Sequence, residues 1–181
     1  MRTYISILRG INVSGQKLIK MEALTRMFED LKFENVQTYV QSGNVIFSTK
    51  DADFELLGNK IQGRIKETFG FEVPVIILDV DTLNEIIENN PFAKDHVKDP
   101  AFCHVTFLAD APTHVNWEEI VSKASDGEDI YLMERTVYLY CPNGYGKTKL
   151  NNNYLERKLR VQATTRNWKT VVELSKLAKQ R

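Results

Sequence analysis

Four stretches hold residue types and spacings that can do chemistry with an anion. The first is Cys141-Pro-Asn-Gly-Tyr-Gly-Lys-Thr-Lys-Leu150. Its Gly146-Lys147-Thr148 ending is that of a phosphate-cradling loop, where glycine lets backbone N–H groups aim at phosphate and lysine adds charge. Such a loop needs glycine at its first position; here Cys141 stands there, followed by Pro142, which has no N–H to give. The strand before the loop belongs to an antiparallel set, so nucleoside triphosphate hydrolysis is not expected. The stretch reads instead as a glycine turn with solvated lysines, which brings Lys147 and Lys149 toward the next motif. That second motif, Ala163-Thr-Thr-Arg-Asn-Trp168, reads as the start of the last helix, capped by Thr164 or Thr165. Arg166 in a first helical turn is unfavourable by roughly a few tenths of a kcal/mol, because the helix start is already positive. It makes sense there if an anion sits above it, or if it pairs with an acid of the body. The third set is two loops. Arg9-Gly-Ile-Asn-Val-Ser-Gly-Gln-Lys17 could wrap an oxyanion, and Gln41-Ser-Gly-Asn44 could present amides and a hydroxyl. Their plainer readings are a flexible loop and a hairpin turn.

Catalytic constellations are not defined. His96, His104 and His114 are scattered, and His104 follows Cys103 directly, so the two point to opposite faces of a strand. Neither a Ser-His-Asp arrangement nor metal-ligand spacing is present. No catalytic residue, cofactor or metal is therefore assigned. Cys103 and Cys141 read as buried small hydrophobes of a reduced cytoplasmic protein. Tyr131, Tyr138, Tyr140 and Tyr145 could stack bases beside the basic tail, although no aromatic-rich RNA-binding motif accompanies them.

Charge is segregated along the chain. The 181 residues balance 24 Lys/Arg against 24 Asp/Glu, yet residues 143–181 hold ten cations and only Glu156 and Glu173. An acidic body thus carries a tail of net +8 (10 − 2). The composition is 43% hydrophobic and 27% charged, enough for a packed core under an ordinary soluble surface. Apolar runs fall far short of the roughly 20 residues of a membrane helix, and Arg9 interrupts any signal-peptide core.

The elements that must position these motifs follow from periodicity. Tyr4-Ile-Ser-Ile-Leu8 alternates as a strand, and Met21, Leu24, Phe28 and Leu31 recur at helical spacing. Val36–Val40 and Val45–Phe47 form a hairpin about Gln41–Asn44. Asp53 caps a helix facing inward with Phe54, Leu57, Ile61, Ile65 and Phe69, in which Gly58 and Gly63 suggest close approach to a neighbour. Val73–Leu78 is a near-continuous apolar strand. The order β-α-β-β-α-β over residues 1–80 is the ferredoxin-like pattern. A connecting helix and proline-containing linker occupy 81–100. A second cycle over 101–181 reads β-α-β-β-α, with a helix where the final strand should be. The fold class is α+β: two ferredoxin-like halves, the second modified with basic C-terminal helices.

Read together, Leu8-Arg-Gly-Ile-Asn-Val13, Thr38-Tyr-Val-Gln-Ser-Gly-Asn-Val45, and Gly144-Tyr-Gly-Lys-Thr-Lys-Leu150 with Ala163–Trp168 resemble the bacterial family labelled domain of unknown function 1697. The resemblance spans nearly the whole chain, with Thr148 where serine is expected. It implies two ferredoxin-like subdomains and carries no activity. It places Arg9, Gly10, Asn12, Gln41, Ser42, Gly43, Asn44, Gly146, Lys149, Thr165, Arg166, Asn167 and Trp168 at motif positions. The leading expectation is a small phosphate- or carboxylate-bearing ligand where these loops meet. Arg9, Lys149 and Arg166 would neutralise its charge, and Asn12, Asn44, Thr165 and Asn167 would orient it, with Gln41, Ser42 and Gly146 beside them. The alternatives are an enzyme acting on such a ligand by electrostatic stabilisation, and an RNA- or DNA-binding protein using the basic tail.

Overall fold

The structure is a computed structural model describing residues 1–181. The chain forms two compact units, Met1–Asn84 with Glu173–Arg181, and Glu85–Val172. The elements of the first are β1 (Arg2–Leu8), α1 (Met21–Asp30), β2 (Glu34–Tyr39), β3 (Asn44–Thr49), α2 (Phe54–Phe69) and β4 (Val75–Asp79). They make an antiparallel sheet of order β2-β3-β1-β4, with β1 paired to both β3 and β4.

Alternation along the strands decides what the helices cover. Tyr4, Leu8, Val45, Phe47, Val75 and Ile77 join Leu24, Met27 and Phe28 of α1 and Leu57, Ile61 and Ile65 of α2 in one core. Phe47 lies at its centre, 4.6 Å from Phe33 and 5.4 Å from Phe28 between ring centroids. Each such side chain contributes about 1.5–3 kcal/mol when fully buried. The opposite face, with Ile5, Ile7, Ile46, Ile76 and Leu78, is buried as well, which explains the near-continuous apolar run of β4. The Asp53 carboxylate caps α2 by accepting from the N–H groups of Glu55 and Leu56, and Gly70 ends the helix in left-handed conformation.

The second unit repeats the plan. α3 (Val80–Glu88) leads into it, followed by β5 (Cys103–Leu108), α4 (Trp117–Val121), β6 (Asp129–Met133), β7 (Thr136–Tyr140), α5 (Asn152–Leu159), β8 (Ala163–Asn167) and α6 (Trp168–Ala178), whose residues from Glu173 onward belong to the first unit. Its antiparallel sheet has the order β6-β7-β5-β8. Leu108, Val137, Leu139, Cys141 and Ala163 pack against Ile120 of α4 and Leu155 and Leu159 of α5. On the other face the Tyr138 hydroxyl donates to the Ile86 carbonyl at 2.9 Å, and Tyr140 lies between Phe92, Phe102 and the Lys98 ammonium.

Both halves are therefore ferredoxin-like, and the second is more regular than its sequence suggests. Ala163–Asn167 is the missing final strand, not the start of a helix. Three of its five residues are Thr, Thr and Arg, polar enough to pass for a capping segment. The cap of α6 is instead Asn167, whose side-chain oxygen accepts from the Thr170 N–H at 2.8 Å.

Two glycines test these packing statements in opposite directions. Gly43 has φ +82°, and a Cβ there would lie 2.6 Å from Ile11 Cδ1 and 2.8 Å from Leu8 Cβ. Gly63, expected to mark a close approach, would set its Cβ in open space. Gly43→Ala is expected to destabilise the protein by about 3 kcal/mol through backbone strain and overpacking. Gly63→Ala is expected to stabilise it by about 1 kcal/mol through helix propensity. Urea denaturation of the two variants checks both signs.

Candidate functional site

In the first unit, the loop after β1 closes on itself. Asn12, Ser14 and Lys17 have positive φ, as do Gly10 and Gly15, and Val13 bridges to Gln16. Asn12 holds this shape. Its side-chain N–H groups donate to the Ile19 carbonyl at 2.9 Å and the Gln41 carbonyl at 2.8 Å, and its side-chain oxygen accepts from the Ile19 N–H at 2.8 Å. Both amide hydrogens are thus committed to backbone. Asn44 is fully buried and donates to the Tyr39 carbonyl at 2.9 Å and to Ser42 Oγ at 3.0 Å. These two asparagines bring the Arg9 loop and the Gln41 turn together as one structural knot. The Gly43 carbonyl completes it by accepting from the Leu8 N–H at 2.8 Å. Arg9 and Ser42 are half-buried at its edge, and Gln41 is exposed.

In the second unit, strand alternation separates residues that the sequence pattern groups together. Thr165 and Asn167 share the helix-covered face of β8 with Ala163, whereas Arg166 points to the other face. Arg166 is therefore not an exposed first-turn residue. It is 9% exposed, its guanidinium donates to the Thr165 carbonyl at 3.0 Å, and burial pushes its pKa down to about 10.

The helix-covered face carries a polar chain. Thr165 Oγ1 donates to Asn152 Oδ1 at 3.0 Å. A hydroxyl has one hydrogen, so in the 2.7 Å contact between Thr106 and Thr165 it is Thr106 that donates. The Asn152 amide donates to the Ala163 carbonyl at 3.0 Å, and its backbone N–H donates to the Tyr145 hydroxyl at 2.8 Å. The Tyr145 ring stacks on the His104 imidazole, 4.6 Å between centroids and 20° apart in plane. His104 Nδ1 is sealed from solvent, and the Phe102 backbone is the one group close enough to bond the ring. Burial pushes the imidazole below the usual histidine range and raises the Tyr145 phenol.

This chain fixes the glycine loop at one end of the sheet. His104 and Asn167 are register partners there, and Tyr145, within the short 3-10 turn Tyr145–Lys147, ties the loop to both β5 and α5. Gly144 begins the turn at φ +94°. Lys147 and Lys149 stand exposed on either side of buried Thr148, without an acidic partner, and Gly146 is open. Gly146, Lys149, Thr165 and Asn167 are thus gathered around this sheet end. The loop leads into α5 only at Asn152, so it lacks the direct glycine-to-helix passage of a phosphate loop.

Other chemistry is not assembled. The Cys103 and Cys141 thiols are buried and pushed up to about 11, which leaves them protonated and inert. No group of three or more His, Cys, Asp or Glu side chains is placed to hold a metal ion. No helix is long and apolar enough to cross a membrane. Of the tyrosines that could stack bases, Tyr138 is buried, Tyr140 and Tyr145 are half-buried and Tyr131 is exposed.

A model of the family described as Protein of unknown function (DUF1697) matches residues 1–138. The chain belongs to this family. The DUF1697 match runs from β1 into β7, through the Asn12 and Asn44 knot. Among solved structures, the chain is similar to the conserved bacterial protein SP0830 from Streptococcus pneumoniae, with a TM-score of 0.70 and 21% identity. That likeness covers 98% of each chain and speaks for the fold alone. No curated protein matches this DUF1697 sequence.

The sequence pattern does not single out His104, Tyr145 and Asn152 as a group. The available signal is the period-two spacing of His104 and Thr106 on one strand and of Thr165 and Asn167 on another. Three measurements test these roles. Asn12→Ala is expected to lower stability by about 2 kcal/mol, from three lost hydrogen bonds, in chemical denaturation. NMR titration should place the His104 midpoint below the ordinary 6.5. A histidine whose folded pKa is depressed gives stability that is whole above the unfolded value and declines as pH falls through the folded one. His104→Leu should flatten the acid side of the stability–pH curve.

Proposed function

We propose that the protein binds a small phosphate- or carboxylate-bearing molecule at the end of the second unit's sheet, where the Gly144–Lys149 loop, His104 and Asn167 lie. The observation that carries this reading is the pair of exposed lysines, Lys147 and Lys149, held without acidic partners on a loop that Tyr145 anchors to the sheet. Lysines on a free loop would lose several rotatable bonds on gripping an anion. In this loop the backbone beneath them is already ordered, so less entropy opposes binding. The surrounding segment supports the reading: residues 143–172 hold seven Lys/Arg against Glu156 alone. Lys147 and Lys149 neutralise the ligand, while Asn167 and the accessible edge of His104 supply hydrogen bonds.

Asn12 and Asn44 are left out of the ligand shell, because their amides already serve backbone and side-chain partners. Arg166 is left out of this shell because it lies on the opposite face of β8. An enzymatic reading draws on one further observation: His104 is held neutral by burial and so retains a basic nitrogen near neutral pH.

Thermal-shift measurement against inorganic phosphate, sugar phosphates, nucleotides and dicarboxylates tests the proposal. One chemical class should raise the melting temperature. A ligand at a hundred times its Kd stabilises by about 2.7 kcal/mol. The Lys147→Ala/Lys149→Ala variant should melt as the parent does without ligand and lose the response. A flat profile across all four classes, or a response that survives the double substitution, overturns it.

A further inference from the structure

The two ends of the β5–β8 pair differ in chemistry. His104 meets Asn167 at one end, and Leu108 meets Ala163 at the other. They are about 13 Å apart, four residue steps of extended chain. At the second end the loop after β5 and the turn before β8 enclose a cleft of about 360 Å³, within the size range of small-molecule sites. Its walls are fastened. The Ala109 N–H donates to the Gln162 carbonyl at 2.8 Å, and the Arg135 guanidinium donates to the Leu108 and Ala109 carbonyls.

The lining contains both signs of charge. Asp110 and Arg160 both line the cleft and are exposed, and neither forms an ion pair with the other or with any other group. Arg160 ends α5 with φ +55°, so its position is set by the helix terminus. The last carbonyls of that helix carry partial negative charge, which adds to Asp110 in attracting a cation. His114 contributes a directed acceptor. Its Nδ1 lies 2.7 Å from the Thr113 carbonyl, which can only accept, so in the neutral ring the proton sits on Nδ1 and Nε2 keeps its lone pair. Ala109, Ala111 and Val161 add small apolar surface.

We infer that this cleft binds a free α-amino acid as its zwitterion. Arg160 holds the carboxylate in its planar fork, and Asp110 with His114 Nε2 receives the ammonium hydrogens. The side chain lies over the alanine and valine surface. A purely anionic ligand would meet Asp110, and a purely cationic one would meet Arg160. The cleft is separate from the lysine-bearing end of the sheet and stands or falls independently of the anion site.

Isothermal titration of the full chain with glycine, alanine, valine and glutamine tests the inference. N-acetylalanine, which lacks the ammonium, and alaninamide, which lacks the carboxylate, serve as comparison probes. At least one amino acid should bind, and both comparison probes should bind at least about tenfold more weakly. Arg160→Gly suits the left-handed backbone and preserves the fold, and Asp110→Asn is nearly isosteric; each should weaken binding by about tenfold or more. Lys147→Ala/Lys149→Ala should leave it unchanged. Absence of heat with all four amino acids, equal binding of N-acetylalanine, or full affinity in both single variants overturns the assignment.

Discussion

The register of β8 against β5 is the constraint on which the second unit's chemistry depends. Once Thr106 faces Thr165, every neighbour is assigned a side and an end. Thr165 and Asn167 must face the helices, and Arg166 must face away, because successive strand residues alternate. The Thr106–Thr165–Asn152 chain then has only one direction its hydrogens can run. That chain secures the start of α5, and Tyr145 extends it to the glycine loop. A slip of one residue would exchange Arg166 for Thr165 beneath α5, placing a guanidinium against Leu155 and Leu159. Burial of an unmatched cation there would oppose the core, so the same apolar packing that forms the unit also enforces its polar register.

The first unit solves a different problem with asparagines. A loop with five positive-φ residues has few repeating backbone partners of its own. Asn12 supplies them by imitating a backbone strand, donating and accepting with Ile19 and donating to Gln41. Gly43 lets the turn approach Leu8 and Ile11 more closely than any side chain would allow. Motif residues in this unit hold one loop against another, a reason for their identity that needs no ligand. The two lysines of the second unit have no such structural reason, which is why the proposed function rests on them.

How much is legible in the sequence follows from how local each signal is. Apolar alternation and helical spacing identify the elements of the first half, because each strand buries one face against α1 and α2. The final strand of the second half escapes such a reading because its polar residues imitate a cap: Thr164, Thr165 and Asn167 all favour helix starts, and only pairing with β5 shows which is the cap. The chemical candidates Asn12, Asn44, Lys149 and Arg166 stand out by type, and their burial separates them.

Sequence alone determined the ferredoxin-like order of elements, the basic segregation of the tail and the lack of a complete phosphate loop. These are properties of composition, period and nearest neighbours along the chain. Only the tertiary structure decided that Asn12 and Asn44 are committed to backbone and side-chain partners, that Arg166 lies across the strand from Thr165, that Tyr145 stacks on His104, and that Asp110 and Arg160 share a cleft. Each of these depends on strand register and burial. Both arise from contacts between residues tens of positions apart, which no local pattern records.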